Sequence, residues 1–302
     1  MKVFVLGGTG AIGRPAVDSL VAAGHDVEAL ARSDESAAKL RSAGAEPVSV
    51  SIFDRAGLTD AFSGHDAVVN LTTAQPSTFT FIFLRAWRNT ERIRTEGSAA
   101  VVDAALAAGV PVVIQESVVM VCRDNGDQWV DETTPVDHYP MAVGNHAAEA
   151  SANRFTDAGG NGIVARFGFF YGTGAQHADD FLTMARRGIV PVIGRPDSYL
   201  SSIHVDDGGR AVAALLDVPA GTYNVVDDEP LTKRAYADAL AAAAGRRAWL
   251  RGPGRAAGLL GHRTNSLGRS LRTSNAKLRH VTGWVPKYPS AREGWAAMAA
   301  NP

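Results

Sequence analysis

Over its first 115 residues the chain alternates short apolar runs with longer helix-periodic stretches, and no other feature restricts its fold as much. Strands are predicted at Lys2–Leu6, Asp26–Leu30, Glu46–Val50, Asp66–Leu71 and Pro111–Gln115, and helices at Ile12–Ala23, Glu35–Ser42, Arg55–Phe62 and Asn89–Ala108. Strands of about five residues with helical spacers of roughly 10–20 are what right-handed βαβ crossovers produce. Helices then cover both faces of the sheet, so its strands read as solid apolar runs, as KVFVL and AVVNL do. The expected class is α/β, a doubly wound parallel sheet.

After Gln115 the alternation loosens. A helix is predicted at Ala142–Asp157 and a sixth strand at Gly162–Phe167. From Gly168 onward Gly, Pro and aromatics are denser, with shorter elements at Asp206–Leu216, Gly221–Val226 and Thr232–Ala244. The boundary is therefore expected at 167/168, with a smaller mixed C-terminal substrate lobe over 168–302 and some of its segments returning to the first unit. A cleft between the two is where a ligand is expected.

The run LGGTGAIGRPA joins the first strand to the first helix. Gly7, Gly10 and Gly13 are spaced G-x-x-G-x-x-G, which lets backbone N–H groups approach a pyrophosphate at the partly positive helix start. Three spaced glycines also suit an ordinary tight turn. A strand before, a helix after and further βα units favour dinucleotide binding, by Gly7, Thr9, Gly10, Ala11, Ile12 and Gly13. This makes residues 1–167 a Rossmann-type domain. At the end of the second strand, where an Asp or Glu usually accepts a bond from an NAD ribose, the chain has Leu30, Ala31 and Arg32. The Arg32 guanidinium suits a 2′-phosphate, its other reading being a solvated surface arginine. NADP is thus expected over NAD, with Asp34 and Glu35 left to cap and charge the next helix.

Thirty Lys and Arg against 31 Asp and Glu give a net charge of −1, which provides no field for a polyanion. Nucleic acid and membrane surfaces are not expected partners; a small-molecule substrate is. A single cysteine, Cys122, makes no intramolecular disulfide, and no Cys/His cluster suggests a metal. With no apolar run near the ~20 residues of a membrane span and no signal-peptide pattern at the start, a soluble cytoplasmic protein is expected.

The segments VLGGTGAIG, GHDVEALARS, GHDAVVNLTT and SSIHVDDGGRAVAAL, with RTSNAKLRHVTGWVPKYPSAREGW near the end, resemble the extended and atypical short-chain dehydrogenase/reductase superfamily, in particular its NAD-dependent epimerase/dehydratase group. The resemblance implies an NAD(P)-dependent oxidoreductase or epimerase acting on a carbonyl or secondary alcohol. It places Ser51 and Ile52 at the adenine, Leu71 and Thr72 at the ribose and pyrophosphate, and Phe167 and Phe169 at the nicotinamide. It also implies a homodimer through the helices at 89–108 and 142–157.

One implied feature is missing. The superfamily's reaction centre joins a Ser or Thr after the fifth strand to a Tyr-x-x-x-Lys helix, yet no lysine lies between Lys39 and Lys233. Matching GNHAAEA to the family pattern puts Asn145 at the lysine and Met141 at the tyrosine. Tyr139 lies two residues earlier, and either Ser117 or Val118 takes the serine position. A tyrosine of pKa near 10 is about one-thousandth ionised at pH 7, a deficit of about 4 kcal/mol that a neighbouring cation would otherwise offset. Candidate substitutes are Ser117, Tyr139 and Glu116, the last at the carboxyl edge of the sheet and otherwise a surface carboxylate. His146 reads as a satisfied or solvent-facing side chain, His204 as a structural anchor between lobes, and Asp54 as a helix cap. Tyr171, His177 and Tyr199 are candidates for a substrate pocket. Trp87 and the FTFIFLRAW run read as core or a pocket wall. Loss of the dyad keeps two alternatives open: a non-redox isomerase, cyclase or lyase that retains the nucleotide, or a nucleotide-sensing protein without catalysis.

Overall fold

Runs apolar on both faces pair side by side in one seven-stranded parallel sheet. The computed structural model describes residues 1–78 and 80–300. The first half runs β1 (Lys2–Leu6), α1 (Gly13–Ala22), β2 (Asp26–Leu30), α2 (Asp34–Ser42), β3 (Glu46–Val48), α3 (Arg55–Phe62), β4 (Ala67–Asn70), α4 (Arg88–Arg92), α5 (Ser98–Ala108) and β5 (Val112–Val118). A two-residue β6 (Trp129–Val130) precedes α6 (Val143–Asp157) and β7 (Asn161–Phe167). The second half adds β8 (Phe169–Tyr171), α7 (Gln176–Arg186), β9 (Ile189–Ile193), β10 (Tyr199–Leu200), β11 (Ser202–His204), α8 (Val205–Ala214), β12 (Gly221–Val225), β13 (Leu231–Thr232) and α9 (Lys233–Ala243).

The strand order is β12-β7-β5-β4-β1-β2-β3. It reverses between β1 and β4, so the crevice past their carboxyl ends is the switch point where ligands of such sheets bind. Side chains alternate between two cores. Val3 and Val5 pack with Val17, Leu20 and Val212 on one face, while Phe4 and Leu6 pack with Phe62, Val101 and Phe155 on the other. The second half contributes to this unit: β12 is its edge strand, and α8 packs on α1 where Gly208 meets Ile12 and Gly209 meets Pro15. A separate core joins Tyr171, Leu182, Val190, Tyr236, Leu240 and Trp295.

Three expectations change. β3 stops at Val48, a short edge strand containing Pro47, which has no N–H for a ladder. The helix expected at 89–108 is broken: a 3₁₀ turn at Leu84–Trp87, α4, a π-helical turn at Ile93–Gly97, then α5. A π turn holds one extra residue per turn, which apolar periodicity does not register, and such turns gather at functional sites. The cap of α2 is Ser33, in a capping box with Ser36; Asp34 and Glu35 supply only first-turn charge. Asp54 does cap α3, accepting from the Gly57 N–H. Among the described residues no helix is long and apolar enough to cross a membrane.

Candidate functional site

The glycine loop sits at the switch point. Gly7 has φ +84°, and a Cβ there would stand 2.9 Å from the Leu71 carbonyl, so β1 and β4 approach too closely for any side chain. Gly13, the first residue of α1, packs onto the loop itself: its Cβ would strike the Gly7 carbonyl oxygen and lie 2.9 Å from Gly8 Cα. Gly10 differs. Its Cβ would meet only the Gly7 oxygen, at 3.3 Å, and otherwise project into open space. The N-cap of α1, Ile12, offers no side-chain cap, and no acid stands in the first turn. The leading N–H groups of a helix have no intrahelical acceptor, and here Thr9, Gly10, Ala11 and Ile12 form the approach to them. The shape and donor chemistry fit a pyrophosphate.

Around the loop, Arg32 is exposed at the end of β2. Ser51 is exposed after β3, and its hydroxyl accepts from the Phe53 N–H. Ile52 is buried under Gly97, whose Cβ would lie 3.1 Å from Ile52 Cδ1. Leu71 is buried against Gly7, and the Thr72 N–H donates to Asn70 Oδ1. Two polar atoms, Thr72 Oγ1 after β4 and Asn145 Nδ2 on α6, are buried without a hydrogen-bond partner among the described residues. Buried polar groups are rarely left unpaired, and the hydroxyls of a nucleotide ribose would satisfy both.

The candidate acid/base groups are engaged elsewhere. Ser117 is fully buried and its hydroxyl donates to Glu149 Oε1 at 2.7 Å, while Arg166 grips the same carboxylate through Nε and Nη2 at 2.8 and 2.7 Å. The Tyr139 hydroxyl donates to the Met120 carbonyl at 2.9 Å, and its ring lies 4.5 Å from the Arg269 guanidinium. Burial pushes the Tyr139 phenol up to about 12, against the pull of Arg269. Glu116 is not a surface carboxylate but 3% exposed, accepting from Arg94 Nη2 at 2.7 and 2.6 Å. Burial raises its carboxyl pKa and the Arg94 charge opposes that rise. Arg94 lies in the π turn and packs on α6, where Gly144, next to Asn145, makes room: a Cβ on Gly144 would stand 3.1 Å from Arg94 Cβ. A cation thus reaches the lysine position's neighbourhood from a different helix. The sequence reading missed it, although Arg94 lies three, four and seven residues before the buried Gly97, Ser98 and Val101, on the buried stripe.

Val118, one of the two residues the sequence reading puts at the family's serine position, and Met141, at its tyrosine position, share a cluster with Phe81, Trp87 and Tyr139. Phe79 of that run lies outside the described residues. Phe167 and Phe169 part ways: the Phe167 ring is fully buried in the main core, whereas Phe169 is half-buried in the second lobe beside His177 and Phe181. His177 is held by the Phe170 carbonyl, Tyr171 donates to the Ser290 carbonyl, and Tyr199 lies under Arg272. His204 caps α8, accepting from the Asp206 N–H, and packs between Tyr171 and Tyr288. His146 meets the Asp137 carbonyl at 3.0 Å.

Known proteins share this fold. The NAD(P)H-binding family matches residues 7–156. The chain is 32% identical over 313 residues to the 3-diazoavenalumate denitrifying reductase of a Streptomyces species, covering 97% of this chain and 99% of that protein. It superposes on a human epimerase family protein solved with NADPH, with a TM-score of 0.82 and 22% identity over all of both chains. The UDP-glucose 4-epimerase of Thermus thermophilus in complex with NAD gives a TM-score of 0.80 and 23% identity, covering 99% and 98%. The glycine bend at the switch point is therefore that of a Rossmann-class protein that binds NAD(P). With a relative aligned along nearly its whole length, the chain belongs to the NAD(P)H-binding family.

Proposed function

We propose that the protein is an NADPH-dependent reductase whose acceptor takes up hydride without a proton from a tyrosine. The observation that carries this reading is the cluster of Met141, Val118, Phe81 and Trp87, in which the one ionisable ring, Tyr139, has its hydroxyl committed to the Met120 carbonyl. Hydride addition to a carbonyl leaves an alkoxide, for which a positioned acid contributes about 10²–10⁴-fold. Tyr139, with its pKa near 12 and its hydroxyl donated to Met120, is a poor source of that proton. An arenediazonium has no such need. Hydride forms the new C–H bond at the ring carbon, the C–N bond breaks, and its electron pair leaves with N₂. The name of the Streptomyces relative, a denitrifying reductase of a diazo compound, supports this class of acceptor.

When bound, the nicotinamide nucleotide supplies the hydride. Free loop amides between Gly7 and Gly13, not that of Gly10, which donates to the Gly7 carbonyl, would hold the pyrophosphate, and Asn145 Nδ2 would donate to a ribose hydroxyl. Val118 and Met141 exclude water from the reacting carbon. Oxidation of NADPH should accelerate above the protein-free rate with 4-methoxybenzenediazonium and not with a panel of ketones and sugars. Tyr139→Phe and Ser117→Ala should each keep that rate within about threefold, well short of the loss of a working acid. Turnover abolished by either substitution would restore it as the proton donor and overturn the reading.

NADP is the preferred nucleotide in this proposal, on the strength of Arg32, which is exposed and makes no ion pair among the described residues. Charge-assisted bonds are worth about 1.5–3 kcal/mol. Arg32→Asp should weaken NADP binding at least about tenfold more than NAD binding in a calorimetric titration. Equal weakening of both would remove the 2′-phosphate role.

A further inference from the structure

The second lobe carries an unusual concentration of charge. Between Lys233 and Arg272 the sequence holds nine basic residues and one acidic residue, Asp238, in a chain whose total charge is −1. Eight of the nine are arginines; the exception is Lys233, the first residue of α9. It is 5% exposed and forms no ion pair among the described residues, Asp124 being the carboxylate that acts on it from longer range. Its ammonium donates to the Leu267 carbonyl at 2.7 Å. An ammonium has three donors, so this bond leaves capacity for an acceptor.

What lies beside it is a small apolar cavity of about 50 Å³, lined by Phe169, Phe181, Ile193, Leu200, Tyr236 and Lys233. Phe169 and Phe181 stack at 6.1 Å, and Tyr236 stands edge-on to Phe169 at 6.4 Å. The cavity is small, so it admits the end of a ligand and not a whole substrate. The three rings line one apolar wall against which a flat hydrocarbon can pack. A buried charge without a counter-ion is costly, and an anion that supplies one is held strongly. Consistent with that cost, burial pushes the Lys233 ammonium down to about 8.

We infer that this cavity is the anion-accepting end of the substrate site, where Lys233 pairs with the carboxylate of a planar, unsaturated or aromatic acid whose hydrocarbon part lies along Phe169 and Phe181. The inference rests on the reductase reading for the word substrate, but its binding chemistry stands apart from turnover. Phe169 follows β7 by two residues, at the carboxyl edge of the sheet, so a ligand anchored at Lys233 extends toward the nucleotide side of the cleft.

The test is calorimetric titration of the NADP-saturated protein with cinnamate and with methyl cinnamate. Cinnamate should bind at least about tenfold more tightly than its uncharged ester. Lys233→Met should erase that preference and Lys233→Arg should retain it. Phe181→Trp, which fills the cavity without touching the cation, should abolish binding of both ligands while NADP affinity stays unchanged; if Lys233→Met fails to fold, this variant and Lys233→Arg decide. A preference that survives Lys233→Met, or wild-type protein that binds neither ligand or both equally, would overturn the proposal and leave Lys233 as a tether for Leu267 alone. Cinnamate binding with no NADPH oxidation by any acceptor would sink the reductase reading while sustaining this one.

Discussion

Gly13→Ala is expected to lower nucleotide affinity at least about 100-fold, equivalent to losing two charge-assisted hydrogen bonds. The added methyl would run into the Gly7 carbonyl oxygen and crowd Gly7 C and Gly8 Cα, at 2.7 and 2.9 Å. All three atoms are backbone, with no flexible side chain to give way, so the start of α1 must move off the loop and take its N–H groups with it. Overpacking of that kind costs about 1–3 kcal/mol, which for a chain of this size lowers Tm by roughly 2–12 °C. Gly10→Ala separates the two effects. Its methyl meets only the Gly7 oxygen at 3.3 Å and otherwise enters open space, so Tm should hold while affinity falls. Thermal unfolding and titration with NADP, run on both variants, check the pair. Wild-type affinity in Gly13→Ala would mean that the bend does not hold the phosphates.

The sheet and this bend were legible because their signals are local. KVFVL announces a two-sided strand, and LGGTGAIG carries its conformational demand in consecutive residues. The π turn after Arg92 was not legible, since one extra residue shifts the helix face without altering composition. Nor were the fates of the candidate acid/base groups. Glu116 meets Arg94 across 22 residues of chain and Ser117 meets Glu149 across 32. Both residues are short-range neighbours at the end of β5, yet successive strand side chains point to opposite faces, and which helix waits on each face is a tertiary fact. Tyr139 illustrates the same limit. Its place before α6 left its reach into the cleft open, and the hydroxyl's acceptor, Met120, belongs to a turn 19 residues away. Absence was easier to read: no lysine lies between Lys39 and Lys233, so the departure from the Tyr-x-x-x-Lys spacing is visible in the sequence itself.

That departure makes the Arg94–Glu116 pair the feature whose removal should cost most. Arg94 is 2% exposed and Glu116 3%, so Arg94→Met strands a carboxylate in the interior, and breaking a buried pair from one side typically costs about 3–5 kcal/mol. The loss should depend on pH with a definite sign. Burial already raises the Glu116 carboxyl pKa while Arg94 opposes it; without Arg94 the folded-state value rises further above the unfolded one. The folded variant then holds a proton that the unfolded chain releases, so its stability is greatest below the unfolded carboxylate value and falls as pH climbs through the raised one. Urea unfolding at pH 5 and pH 8 should therefore show a larger deficit at pH 8. Arg94→Met with Glu116→Leu should recover most of the lost stability at both pH values, because an apolar pair of similar volume needs no counter-charge. Recovery of stability without recovery of NADP affinity would separate the pair's part in folding from its part in holding the π turn beside Asn145. An Arg94→Met deficit below about 1 kcal/mol at pH 8, well under the buried-pair range, would mean that water reaches the Glu116 carboxylate.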